Sequence, residues 1–121
     1  MVEHARADAP NECCGVVAVR DGAATEVRAA TNVAASPMRF EVDAQELYRL
    51  MTEIEDRGDE LGAIYHSHTR SVPEPSQTDV NFAALWPGVE WIIVGTRHAE
   101  PEVRTFRIEE GTVTEVELEV R

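Results

Sequence analysis

Cysteine is nearly missing from this chain of 121 residues: Cys13 and Cys14 stand side by side, and none follows them. Neighbours on a strand point to opposite faces, so the two are badly placed for a disulfide, which suits a reducing compartment. A cysteine-built structural zinc site is excluded too, because such sites want two to four residues between paired cysteines. Long apolar runs are also missing, and none approaches the roughly 20 residues that cross a bilayer. Nor is there a charged start followed by an apolar core and a small-residue cleavage site, the pattern of a secretory signal. The cytoplasm is the expected location. Positive charge is scarce, with 11 Lys and Arg against 23 Asp and Glu and a net charge of −12. That balance argues against nucleic acid or an anionic membrane as the main partner. The acidic residues are spread out, as a solubilising surface requires, with a slight build-up near Glu109 and Glu110. No internal repeat, linker or low-complexity tract interrupts the chain. At 43% hydrophobic residues, a single domain over residues 1–121 with a modest core is expected.

What is present reads as alternating strands and helices. Val2, Ala5 and Ala9 recur at helical spacing before Pro10, which predicts a short helix over 1–9. Cys14 to Arg20 is valine-rich and runs into Asp21-Gly22, a hairpin signal, with Thr25 to Thr31 as the partner strand. A small-residue loop from Asn32 to Pro37 leads to a short strand, Met38 to Val42. Asp43 is a good N-cap, with Glu46 placed to complete a capping box. The helix from Ala44 to about Arg57 carries Leu47, Leu50, Met51 and Ile54 on one stripe and stops at Gly58. Leu61 to Tyr65 looks like a buried strand, and Gln77 to Trp86 like a helix ended by Pro87-Gly88. Trp91 to Thr96 is nearly continuous in apolar residues, as in a central strand buried on both faces. Val103 to Ile108 and Thr112 to Val120 alternate about a Glu109-Glu110-Gly111 turn and form a hairpin. This order predicts an α/β fold, a mixed β-sheet flanked by helices.

Chemistry concentrates between Tyr65 and Asp79. His66 and His68 share one strand face, and Asp79 opens the helix that follows a proline-containing turn. Two neutral imidazoles and a carboxylate suit a borderline cation such as Zn2+, and three protein ligands leave a fourth position open, as in catalytic sites. Asp79 has a competing reading, since Ser76-x-x-Asp79 before an apolar helix is itself a capping box. Both can hold, because an aspartate in the first turn is already presented at the helix start. His98-Ala99-Glu100 lacks the later cysteines of zinc deaminases and reads as an exposed turn, while His4 lies on the first helix without evident chemistry. Cys14 reads as a small buried residue sharing a face with Glu12.

The His66-x-His68 pair, the ten residues before Asp79, and Ser76 three before that aspartate resemble the signature of the JAMM (MPN+) metalloproteases. Proline usually follows the second histidine in that family, whereas Thr69 stands here, a change of loop stiffness rather than of ligands. The family usually opens on a strand, whereas this chain opens on a helix. Its architecture is similar to that of the cytidine deaminases. The resemblance implies a zinc hydrolase in which His66, His68 and Asp79 hold the metal. It also implies Glu12 as general acid/base, handing the proton of water to the leaving amine, and Ser76 as a donor to the oxyanion. Asn11-Glu12-Cys13-Cys14-Gly15, Ile64 to Thr69, Pro75 to Val80 and Thr105 to Ile108 resemble the Mec-type branch. The implied substrate is then a ubiquitin-like sulfur-carrier protein, CysO, whose C-terminal Gly-Gly tail is joined to cysteine, and the product is cysteine. The tail is expected to add to a sheet edge near Met38 to Val42. A JAMM enzyme acting on another ubiquitin-like Gly-Gly protein is the nearer alternative, and a non-catalytic MPN interaction domain the further one. The sequence leaves oligomeric state open.

Overall fold

The computed structural model describes residues 1–9, 11–21, 23–32, 44–69, 73–83 and 88–116. Helix α1 (Val2–Asp8) leads into β1 (Cys14–Arg20), which pairs with β2 (Ala23–Ala30). Arg20 and Ala23 are partners, and Asp21 takes a φ of 52°, as a two-residue hairpin turn requires. Strand β2 starts two residues before the expected Thr25 because this pairing carries Ala23 and Ala24 into the ladder. Helix α2 (Ala44–Asp56) turns Leu47, Leu50 and Ile54 inward, each at most 2% exposed. Burial of this kind stabilises by roughly 1.5–3 kcal/mol per side chain. The expected Met38 to Val42 strand and the Asp43 cap lie outside the described residues. Glu46, expected to close that capping box, accepts the Thr31 N–H at 2.7 Å.

Strand β3 (Glu60–His68) is followed by α3 (Gln77–Ala83), β4 (Glu90–Gly95), β5 (Glu102–Glu109) and β6 (Thr112–Val116). The last part of the predicted helix to Trp86 and of the strand to Val120 lies outside the described residues. The sheet has the order β2-β1-β3-β4-β5-β6, with β3 and β4 parallel and every other pair antiparallel. The mixed α/β sheet expected from the sequence is therefore what forms.

Alternation divides the sheet into two packed faces. Cys14, Val16, Ile64, Trp91, Ile93 and Phe106 pack with the α2 stripe and Ala83 of α3. Cys13, Val17, Ala63, Tyr65, Ile92 and Val94 pack with Ala5 of α1. On that second face the Tyr65 ring lies over Gly15, where an added Cβ would overlap it. Strand β4 is buried along Trp91 to Gly95, as a central strand should be. The parallel pair ends together, His68 beside Gly95, and the chain then crosses through α3. In open α/β sheets such carboxyl ends form the crevice where ligands bind.

Candidate metal centre

The two histidines finish β3 on the α2–α3 face. His66 is 0% and His68 6% exposed, and their rings lie 4.9 Å apart between centroids. Trp91 meets the His66 ring edge-on at 6.5 Å, and the Thr96 N–H donates to the His68 carbonyl at 3.0 Å. These contacts fix the end of the strand. Pro73, buried in the turn, packs against Gly95, where a Cβ would come within 3.1 Å of it.

Helix α3 supplies the third group through the predicted capping box. The Asp79 N–H donates to Ser76 Oγ at 3.2 Å, and the Ser76 N–H donates to Asp79 Oδ2 at 2.9 Å. That same Oδ2 lies 3.1 Å from His66 Nε2 and 3.5 Å from His68 Nε2. The two Nε2 atoms are 3.1 Å apart. A carboxylate oxygen has more than one lone pair, so the cap and a cation can share it. The cap forms, and it leaves Asp79 Oδ2 able to serve the other reading as well.

The triangle has the dimensions of a metal site. Nitrogen and carboxylate ligands at about 2.0–2.1 Å from a tetrahedral cation lie about 3.3–3.4 Å from one another. The three observed separations straddle that length, and the donors are two imidazoles and a carboxylate. Among the described residues these three form the one group of His, Cys, Asp or Glu close enough to hold an ion. Burial drives His66 toward its neutral form, which leaves a ring lone pair for a ligand, against the opposing pull of Asp79. Burial alone would raise the Asp79 pKa, but hydrogen bonds to His66 and His68 outweigh it and hold this carboxyl well below the usual range.

Glu12 sits immediately before β1 and is only 5% exposed. Burial pushes its pKa up to about 7, with the charge of His68 lowering it and that of Asp79 raising it. A carboxylate poised there can both take and return a proton near neutrality. Ser76 is exposed, and accepting the cap bond leaves its hydroxyl proton able to donate.

The remaining candidates stay apart from this centre. His98, Ala99 and Glu100 form an exposed bend. His4 Nδ1 is within hydrogen-bonding distance of the Tyr65 hydroxyl, at 2.9 Å, on the α1 face. Cys13 and Cys14 are buried and lie in separate core clusters. Sequence reasoning missed Ser67 and Asn32: the Cys13 N–H donates to Ser67 Oγ at 2.8 Å, and Asn32 Nδ2 donates to the Glu12 carbonyl at 2.9 Å. The available signal was Ser67's place, where strand alternation turns it away from the two histidines.

Comparison with known proteins agrees with this geometry. The chain is 38% identical over 123 residues to the CysO-cysteine peptidases of Mycobacterium bovis and Mycobacterium tuberculosis, covering 99% of this chain and 84% of each relative. It is 42% identical over 94 residues to the desampylase of Haloferax volcanii, covering 75% of this chain and 67% of that one. The solution structure of a Desulfitobacterium hafniense protein matches with a TM-score of 0.81 and 29% identity over 97% of this chain and 83% of that one. A JAB1/MPN domain protein from Archaeoglobus fulgidus matches with a TM-score of 0.63 and 19% identity over 98% and 87%, a likeness of fold alone. The family described as prokaryotic homologs of the JAB domain matches residues 1–109, and the chain belongs to it.

Proposed function

We propose that this chain is a zinc-dependent peptidase acting on a ubiquitin-like sulfur-carrier protein, cleaving after its Gly-Gly C-terminus to release cysteine. The observation that carries the reading is the buried triangle of His66 Nε2, His68 Nε2 and Asp79 Oδ2, with Glu12 poised near neutrality beside it. These three residues hold the cation. Bound there, zinc supplies Lewis acidity that polarises the scissile carbonyl and makes water nucleophilic at neutral pH. Glu12 removes the proton from the attacking water and delivers it to the amine of the departing cysteine. The Ser76 hydroxyl donates to the carbonyl oxygen as it gains charge. Hydrolysis consumes one water and leaves a glycine carboxylate on the carrier and free cysteine, a step of cysteine biosynthesis.

The reading treats 1–121 as one domain working in the cytoplasm, with neither nucleic acid nor membrane as partner. The 38% identity to CysO-cysteine peptidases across almost the whole chain supports the sulfur carrier as substrate. A second reading, cleavage of another ubiquitin-like Gly-Gly adduct, is favoured by the 42% identity to a desampylase over a shorter span. The two are separated by incubating the zinc-loaded protein with a carrier–cysteine adduct and with a carrier–lysine adduct, and weighing the products. Faster release of cysteine supports the first reading. Cleavage of the lysine adduct alone replaces it with the second, and no cleavage of either, with one zinc bound, overturns both.

A further inference from the structure

Glu12 lies outside the strand that follows it, because β1 begins at Cys14. Something other than regular pairing within that strand has to set its direction. The peptide joining Glu12 to Cys13 has two polar atoms, and a side chain from elsewhere in the fold engages each. Its carbonyl, Glu12 O, accepts from Asn32 Nδ2 at 2.9 Å. Its amide, Cys13 N–H, donates to Ser67 Oγ at 2.8 Å. The Ser67 N–H in turn donates to the Cys13 carbonyl at 3.0 Å, closing a small ring between the two segments. Ser67 is 0% exposed, so its hydroxyl faces no competition from water. Holding both ends of one peptide fixes its plane, and with it the backbone torsion that aims the Glu12 side chain.

We infer that Ser67 and Asn32 are positioning residues that orient Glu12 toward the metal triangle by clamping the Glu12–Cys13 peptide. This rests on the proposed role of Glu12 as the proton carrier. Ser67 is well suited to the task because it lies between His66 and His68. The strand that ends in the two ligands therefore also sets the base, and a single backbone fixes their spacing. Outer-shell partners that orient metal ligands typically cost about 10–100-fold when mutated, and a clamp on the proton carrier is expected to act on the same scale. The clamp acts on proton transfer, so its loss reads in kcat rather than in KM.

The test uses Ser67→Ala and, at a half-buried site away from the ligands, Asn32→Ala. In zinc-loaded protein, kcat is expected to fall about 10–100-fold in each, with KM within about twofold and zinc content unchanged. Unchanged kcat in both variants overturns the inference, as does a loss confined to KM or one that tracks lost zinc in both. Backbone amide exchange at Cys13 reads the clamp without any substrate. Exchange at least about tenfold faster in Ser67→Ala supports it, and unchanged exchange overturns it, whether or not the protein cleaves a carrier adduct. Hydrolysis by the wild-type protein tests the functional reading separately.

Discussion

At the scale of single residues, Glu12 ties activity to stability through its proposed role in proton transfer. Its pKa is raised to about 7 from 4.5, mainly by burial, so the folded protein prefers it protonated. That preference is fully present below about pH 4.5 and is lost as pH rises through about 7. Glu12→Gln is therefore expected to make the metal-free protein more stable than wild type at pH 8, by on the order of a few kcal/mol, and to leave the two nearly equal at pH 4. Urea melts of chelated protein at both pH values check this, and equal gaps at the two would refute it. In zinc-loaded protein the same substitution should lower kcat by about 10²–10⁴ while zinc stays bound, read by turnover and metal analysis together. A nearby cation lowers a carboxylate pKa, so the acidic limb of the wild-type rate profile should fall below pH 7. The cluster was legible in the sequence because His66, His68 and Asp79 carry groups suited to a cation at fixed local spacing. The burial of Glu12 was not, since it is a property of the folded chain, in which Ser67 and Asn32, 54 and 20 positions away, bond to the two ends of the Glu12–Cys13 peptide.

At the scale of elements, the apolar patterns located the strands and helices, and the misses fell where the pattern is silent. The alanines at the start of β2 carry no strand signal. Nor does anything local announce the irregularities in β1 pairing, between Ala18 and Val19 against β2 and between Val17 and Ala18 against β3. The parallel pairing of β3 with β4 also depends on the crossover through α3 and not on either strand alone. Strand β1 follows Glu12 directly and β3 ends in His66 and His68, and the closest fit between these two strands is Gly15 under Tyr65. Gly15→Ala should destabilise the protein by about 1–3 kcal/mol, since the ring would have to leave its place against the sheet and its hydroxyl its contact with His4. A thermal melt measures it, and an unchanged midpoint would show that the ring can move freely.

At the scale of the whole molecule, an acidic surface coexists with a local network of arginines at the end of the sheet away from the metal. Asp59, 7% exposed, is 2.6 Å from Arg20 Nε and 3.5 Å from Arg57 Nη2, and it accepts from the Thr25 hydroxyl at 2.9 Å. Arg57 also pairs with Glu26, and Arg28 ties Glu26 to Glu53 of α2. The arginines are substantially exposed, so water can replace much of what they lose, and Asp59→Ala should cost about 1–2 kcal/mol. Activity should persist in that variant at temperatures below its melt, because the network lies far from the triangle along β3. Shared use of Asp79 Oδ2 bears on how the triangle would take up an ion. The helix cap holds this oxygen beside the imidazoles through the Ser76 N–H, a bond that needs no cation to form. Adding zinc to chelated protein should leave the far-ultraviolet circular dichroism unchanged while heat resistance climbs with free zinc concentration. A gain of helix on loading would mean that the harness is assembled by its cargo rather than standing ready for it.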